Sequence, residues 1–268
     1  VMVTIICLKC LKYKIGVVPS YPKLTLIRCV LMHFGFFIFF ISLEKLSLST
    51  VTALFFAAPF FITILSALVL SERIGLVRVL IIVLGFIGVF LIVKPFKESE
   101  FSFFMLAPLF TAFCYAVAMV ISKYTKENEN AFLQAFQQYS VSLLLSVITY
   151  TIILVFPLDM IDKEEWRFIF GSIKFDDYNI LISIAILSIF GTLGMTSLIH
   201  AYQVGSPITN GPTEYVLLIL AIINGYFFFG NIPDYLSLAG IILIILGGWA
   251  LFFGEYQRNK IDKKVSLT

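Results

Sequence analysis

Long apolar runs that carry almost no charge recur along the whole chain, and they constrain its fold more than any other feature. The hydrocarbon core of a bilayer is about 30 Å thick, and a helix needs about 20 mostly apolar residues to cross it. Of the 268 residues, 60% are hydrophobic and 13% are charged, whereas a soluble domain carries about 25% charged residues. We therefore predict an all-α polytopic membrane protein without a separate soluble domain.

The apolar runs predict eight complete spans and one partial span. The partial one, Val1–Leu11, is too short to cross a bilayer, and we interpret it as the end of a helix whose beginning is absent. Such a truncation should leave an apolar groove on the bundle. The complete predicted spans are 24–42, 49–70, 76–93, 103–122, 131–156, 179–202, 206–229 and 235–253.

Loop charge indicates the orientation of these spans. When the loops alternate between two sides, thirteen Lys and Arg fall on one side and six on the other, while the acids fall five and ten. The positive-inside rule then places the first side, including the C-terminus, in the cytoplasm. Arg28 lies about one turn inside its helix, where we expect it to snorkel to the cytoplasmic face.

Glu214 is the only charged residue in the span 206–229. It lies about 12 Å along a helix from Ser206, which places it near the middle of the bilayer. A carboxylate there costs on the order of 2.5–3.5 kcal/mol, so it should face a cavity or a partner. Since no Lys or Arg is predicted at this depth, a proton or a cationic substrate must compensate its charge. The alternative is a neutral, hydrogen-bonded structural residue.

Helix-breaking residues precede this carboxylate, and they can expose backbone groups at a site. They are Gly205, Pro207, Gly211 and Pro212. A similar break is expected at Pro59, which should kink its helix.

The sequence also contains a weak internal repeat, revealed by a shift of 159 residues. Each copy holds three consecutive spans, and the two copies enter the membrane from opposite sides. Inverted repeats of this kind are typical of secondary transporters, with the binding site where the repeats meet. The superposed positions are Ser42–Ser47 with Ala201–Ser206, Glu72 with Asn231, and Gly88 with Gly247.

Several motifs resemble the EamA family of the drug/metabolite transporter superfamily. The resemblance covers nearly the whole chain, and the patterns at Pro59, Glu72 and Pro233-Asp234 are most similar to the bacterial branch of S-adenosylmethionine and riboflavin uptake proteins. The motifs are Ala53–Gly75, Leu84–Pro95, His200–Gln203, Glu214-Tyr215, Gly225–Asp234 and Ala239-Gly240.

The resemblance implies ten helices in two inverted five-helix halves, with the first helix and part of the second missing here. It implies a truncated first repeat over residues 1–95, a second repeat over 101–254 and a cytoplasmic tail over 255–268. It also implies a multi-pass protein of the bacterial inner membrane. Asn231 departs from the family, which usually carries an acid there, and this departure weakens the argument that an acid in this loop is needed for transport.

A set of polar and aromatic residues is predicted to bind the substrate. Phe55 and Phe56 occupy the repeat positions of Glu214 and Tyr215, and they can form an aromatic wall suited to a flat or cationic ligand. A lone histidine in a bundle is more often a packing residue than a ligand. The predicted set is Glu214, Tyr215, Tyr115, Gln138, Phe56, Asn210 and His200.

The motifs of an enzyme or a metal site are absent from the sequence, so we expect no catalysis, cofactor or bound metal. The prediction is a secondary-active permease that moves a small organic metabolite by alternating access. One alternative is an exporter of amino acids or drugs on the same fold, and another is a non-transporting membrane assembly or lipid-binding protein. Expected partners are the metabolite, protons or another coupling ion, the lipid bilayer and a second copy in a homodimer, but no nucleic acid.

Overall fold

A computed structural model describes residues 19–46, 48–71, 75–93, 103–155, 178–216, 220, 227, 235–236, 238–247 and 249–250. These residues contain helices and no strand, which confirms the all-α prediction. A short 3-10 turn, Phe103–Met105, leads into the fifth helix. The helices are α1 Pro22–Ser42, α2 Leu48–Phe55, α3 Ala58–Val69, α4 Leu76–Val93, α5 Leu106–Tyr124, α6 Ala131–Val155, α7 Tyr178–Val204, α8 Pro207–Thr213 and α9 Leu238–Gly247.

Four described helices, α1, α5, α6 and α7, are long and apolar enough to cross a membrane. Much of the surface of α6 and α7 is apolar and exposed, including Leu144, Leu187 and Phe190. Lipid can cover such a surface at a low cost in free energy, because the exposed side chains are apolar and a helix satisfies its own backbone hydrogen bonds. Water would solvate these side chains poorly. The polytopic membrane fold is thus confirmed.

Two predicted spans are interrupted in the structure. The span 49–70 was expected to be continuous with a kink, but α2 ends at Phe55 and α3 begins at Ala58, with a turn at 56–57. Pro59 explains this break. It has no backbone N–H to donate to the carbonyl of Phe55, and in a continuous helix its ring would clash with that carbonyl. In the span 206–229, α8 ends at Thr213 and Glu214 lies in a turn.

Helix α5 lies at the centre of the described bundle, where it packs against α1, α2, α3, α7 and α8. Its buried face is rich in small residues, including Ala112, Ala116 and Ala118. Small side chains let membrane helices approach closely. This central position allows one residue of α5 to contact several other elements.

The contacts between α4 and α9 follow the internal repeat. A Cβ atom on Gly88 would lie 2.8 Å from the carbonyl oxygen of Gly240, and one on Gly247 would lie 3.7 Å from Cγ2 of Ile81. Adding 159 to positions 81 and 88 gives 240 and 247, so each half makes the same contact with the other. Such reciprocity is what a two-fold relation produces. Glu72 and Asn231, the expected markers of opposite membrane faces, lie outside the described residues.

Candidate functional site

Two tyrosines hold the carboxylate of Glu214. The Tyr202 hydroxyl donates to Oε1 of Glu214 at 2.6 Å, and the Tyr115 hydroxyl donates to the same oxygen at 2.7 Å. Both tyrosines are buried, whereas Glu214 is partly exposed. Oxygen Oε2 receives no hydrogen bond from the described residues.

The carboxylate lies beside the middle of a membrane-length helix. Tyr115 is the central residue of α5, nine residues from Leu106 and nine from Tyr124. At about 1.5 Å per residue, each end of the helix is about 13 Å away. The hydrogen bond from Tyr115 therefore places the Glu214 carboxylate well inside the hydrocarbon layer, where an ionisable group is most often functional.

A tight reversal between α7 and α8 brings Tyr202 and Glu214 together. Lys123 of α5 donates to the carbonyls of Gln203 at 2.9 Å and Gly205 at 2.5 Å. These carbonyls lie at the C-terminal end of α7. The last carbonyls of a helix have no backbone N–H partner within the helix, and the negative end of the helix dipole favours a cation there. Asn210 donates to the carbonyl of Ala201 from the other side of the reversal. The chain can therefore turn back within the bundle with its backbone oxygens bonded.

Aromatic rings extend from this carboxylate across the helix break at 56–57. The ring of Phe55 lies 5.5 Å from that of Tyr115, and the ring of Phe56 lies 5.7 Å from that of Tyr215. Phe39 continues the series at 5.7 Å from Phe55. Aromatic side chains from α1, from the break between α2 and α3 and from the turn after α8 thus lie next to the glutamate, and ring faces of this kind attract organic cations.

Glu214 forms no ion pair with a described Lys or Arg. Its hydrogen-bond partners are phenols, which stabilise a carboxylate without cancelling its charge. Nor do the described residues contain a group of three His, Cys, Asp or Glu side chains that could hold a metal ion. The described part of the site therefore consists of one carboxylate, two phenol donors and aromatic rings.

The structure brings only some of the predicted site residues together. Glu214, Tyr115, Tyr215 and Phe56 lie together. Asn210 is nearby but bonds the backbone of α7, as described above. Gln138 instead donates to the carbonyl of Cys29 at 3.2 Å and lies apart from these residues, at the contact between α1 and α6. His200 is exposed on α7.

Tyr202 was not among the predicted site residues, although it makes the shortest hydrogen bond to Glu214. The sequence contained a signal for it, because Tyr202 belongs to the motif His200–Gln203 and precedes Glu214 by only twelve residues. The exposed His200 and the buried Tyr202 are two positions apart, so they point in different directions from the helix.

The expected snorkelling of Arg28 is wrong. Its side chain is 1% exposed, and Nη2 donates to the carbonyl of Gln134 and to Oε1 of Gln137, both at 3.1 Å. Acceptors supplied by α6 keep the guanidinium inside the bundle, since a buried charge is tolerated when it is hydrogen-bonded. The electrostatic attraction between the Glu129 carboxylate and the Arg28 guanidinium also favours the buried position of this side chain.

Comparison with known proteins assigns the chain to a family. The model of the EamA-like transporter family matches residues 1–94 and 102–253. The chain therefore belongs to the EamA-like transporter family, a family of transporters rather than enzymes. It is a multi-pass membrane protein, as the family and the apolar helices both indicate.

Its relatives include both uptake and export proteins. The S-adenosylmethionine uptake transporter of Rickettsia bellii is 25% identical over 252 residues, covering 92% of this chain and 77% of the relative. The pseudopaline exporter of Pseudomonas aeruginosa is 25% identical and covers 84% of this chain and 73% of its own length. The riboflavin transporter of Brucella anthropi is 25% identical, and the match covers 84% of this chain and 75% of the relative.

A solved crystal structure shares the fold. It is 15% identical in sequence, has a TM-score of 0.72, and covers 93% of this chain and 82% of its own length. Identity at this level supports the helical architecture alone.

Proposed function

We propose that this protein is a secondary-active permease for a small organic metabolite and that Glu214 is its charge-bearing residue. The observation that carries the proposal is the pair of phenol bonds to one carboxylate oxygen, 2.6 and 2.7 Å long, beside the middle of α5. Two donors orient the carboxylate, and the other oxygen receives no bond from the described residues. A merely structural glutamate would be expected to have both oxygens satisfied.

The surroundings of the carboxylate favour a substrate that combines a positive charge with a flat ring. A cation near Glu214 compensates the buried charge, and the rings of Phe55, Phe56 and Tyr215 supply apolar and cation–π contacts. S-adenosylmethionine has a sulfonium cation and a planar adenine, and a relative is named for its uptake. It is therefore the first substrate to test, with neutral riboflavin as the comparison.

Alternating access at this site is supported by the repeat. The helix breaks at 56–57 and 214–215 overlap at one pair of equivalent positions, Phe56 and Tyr215, which are 159 residues apart. We propose that the halves correspond to residues 1–95 and 101–254, and that they rock about the site between them. The side with more Lys and Arg, including the tail 255–268, is proposed to face the cytoplasm of a bacterium.

The deciding experiment is uptake of radiolabelled S-adenosylmethionine by proteoliposomes that contain the purified chain. Glu214→Gln should lower the uptake at least tenfold while leaving the protein folded, because the amide retains an oxygen acceptor and loses the charge. Glu127→Gln is the matched control, since Glu127 is exposed in the α5–α6 turn and pairs only with Lys126 in the described structure. Wild-type transport by Glu214→Gln, with unchanged pH dependence, would leave Glu214 as a structural residue.

Export on the same fold is the second candidate, and the named pseudopaline exporter supports it. Loading labelled substrate inside the vesicles measures this direction. Efflux driven by an inward proton gradient, without uptake in the reverse arrangement, would favour an exporter.

A further inference from the structure

A buried polar cluster joins four elements at one end of the bundle, away from Glu214. Its donors and acceptors come from the beginning of α1, the turn between α5 and α6, the beginning of α6 and the end of α7. We name it the polar latch. Its members are Thr25, Arg28, Glu129, Gln134, Gln137 and Gln203, each at most 7% exposed.

Glu129 is the centre of the polar latch. Its carboxylate accepts hydrogen bonds from the backbone N–H of Ser20 at 3.1 Å and from the hydroxyl of Thr25 at 3.2 Å. Its backbone carbonyl accepts from Gln203 at 2.8 Å and from Gln134 at 3.3 Å. One residue thus ties α1, α6 and α7 to the end of α5.

Arg28 forms the second half of the polar latch. Its guanidinium binds α6 through Gln134 and Gln137, as described above, and it is attracted by the Glu129 carboxylate. The opposite charges of Arg28 and Glu129 balance within the cluster. Their close partners are neutral, so the connection depends on hydrogen bonds between helices that can be exchanged for bonds to water.

Several polar atoms of the polar latch are unsatisfied. In the part of the chain that the structure describes, the buried atoms Nε of Arg28, Oε1 of Gln134 and Nε2 of Gln137 have no hydrogen-bond partner. Each such atom disfavours the closed arrangement, and each would be satisfied if water entered. The hydrogen bonds of the polar latch hold this end of the bundle closed, but its polar atoms also favour the entry of water. A contact made of apolar side chains would resist the entry of water.

Helices α1 and α6 separate beyond the polar latch. Near their N-termini, Gln138 bonds the backbone of Cys29. Farther along the two helices, a cleft of about 370 Å³ lies between them, and its lining includes His33 and Phe37 of α1 and Ser146 and Thr149 of α6. The pair of helices is therefore joined at one end and apart toward the other.

We propose that the polar latch is the closing contact of the transport pathway on this side of the membrane and that it must separate during the cycle. This inference rests on the proposed function, because the polar latch would be the contact that closes one face of the protein during alternating access. Opening would move α1 away from the α5–α6 turn and admit water to Arg28 and Glu129. On the orientation proposed above, this is the cytoplasmic face.

Native Cys29 provides a reporter of this opening. It is 0% exposed and lies next to Arg28, so a water-soluble maleimide should reach it only when the polar latch separates. Cys114, 1% exposed and in contact with Gly35 inside the bundle, serves as a reference thiol. Cys7 and Cys10, which lie outside the described residues, would be replaced by Ser.

The test compares two Thr→Val variants of this chain in sided membrane vesicles. Thr25→Val removes a hydrogen bond from the polar latch, and it should raise the labelling rate of Cys29 about fivefold, the change in population expected for loss of one hydrogen bond. Thr111→Val is the matched control, since its buried hydroxyl bonds the carbonyl of Gly35 on α1 at 2.8 Å but lies outside the polar latch. It should leave Cys29 labelling unchanged.

The proposal fails if Thr25→Val leaves Cys29 as protected as in the wild type, or if Thr111→Val exposes Cys29 equally. A parallel rise at Cys114 would show general loosening and would also overturn it. Glu129→Gln, checked for folding by gel filtration, is the second variant and should also expose Cys29. Labelling requires no substrate, so the labelling result can support the polar latch even if the proposed substrate is not transported. Conversely, the substrate can be transported while the labelling result contradicts the polar latch.

Discussion

The hydroxyl of Tyr215 lies 3.5 Å from the carbonyl oxygen of Phe56, and the two residues are 159 positions apart in the sequence. That separation is the shift of the internal repeat, so equivalent positions of the two halves touch each other. Residues related by a two-fold axis can meet only near that axis. Since Glu214 adjoins Tyr215, the axis of the proposed inverted repeat would pass close to the candidate site, and each proposed half would supply part of its walls.

The first prediction concerns the coupling between Glu214 and its two tyrosines. Tyr115→Phe and Tyr202→Phe each remove one donor to the same oxygen, so each should lower the free energy of unfolding by about 1.5–3 kcal/mol, the usual value for a hydrogen bond to a charged group. Because the donors share an acceptor, each loss should become smaller in a Glu214→Gln background. Unfolding by denaturing detergent in mixed micelles measures all the variants.

Tyr139→Phe provides the control for this cycle. Its hydroxyl bonds the carbonyl of Gly191 at 2.9 Å, away from Glu214. Its effect should be the same whether position 214 is Glu or Gln. Strictly additive effects of Tyr115→Phe and Glu214→Gln would contradict the coupled site.

The second prediction concerns the close approach of α4 and α9. Gly88→Ala places a methyl group 2.8 Å from the carbonyl of Gly240, so it should destabilise the protein by about 1–3 kcal/mol, as overpacking usually does. Gly194→Ala in α7 is the control, because none of the described residues of other elements comes within 4 Å of the methyl group that this substitution adds. It should be neutral or stabilising by up to about 1 kcal/mol, since Ala favours helix more than Gly. Equal effects of the two substitutions would argue against a tight α4–α9 contact.

The sequence predicted the helical membrane fold and the position of α4 well, because hydrocarbon thickness leaves few choices for an apolar run. The predicted span 76–93 coincides with Leu76–Val93. Pro59 also indicated a disturbance of its helix. The extent of that disturbance was not predictable, since α2 and α3 are separated by a turn whose stability depends on packing against α5 and α8.

The candidate site was predicted only in part. Glu214 was recognisable because a lone carboxylate in an apolar span is costly. Its partner Tyr202 was not selected although it belongs to the motif His200–Gln203, because only the reversal at Gly205 turns its side chain toward Glu214. Arg28 gives the clearest failure, because the sequence shows a basic residue near the membrane surface but not the acceptors that α6 brings to it.

The third prediction concerns topology. Glu72 and Asn231 are equivalent positions of the repeat and lie outside the described residues. In an inverted pair they should be on opposite faces of the membrane, as the loop charges also indicate. Single cysteines at the two positions, in a chain with the native cysteines replaced, should react with an impermeant maleimide from opposite sides of sealed vesicles. Labelling of both from one side would exclude the inverted arrangement.

The fourth prediction concerns the end of α3. Ser71 has a backbone φ of 55°, a left-handed conformation just after the helix, where glycine is favoured because it has no Cβ. Ser71→Gly should therefore stabilise the protein by about 1 kcal/mol. The same substitution at Ser188, inside α7, should destabilise it by about 0.5 kcal/mol, because glycine is a poor helix former there. Detergent unfolding should show these opposite signs, and a loss of stability in Ser71→Gly would mean that the serine side chain contributes more than the backbone conformation costs.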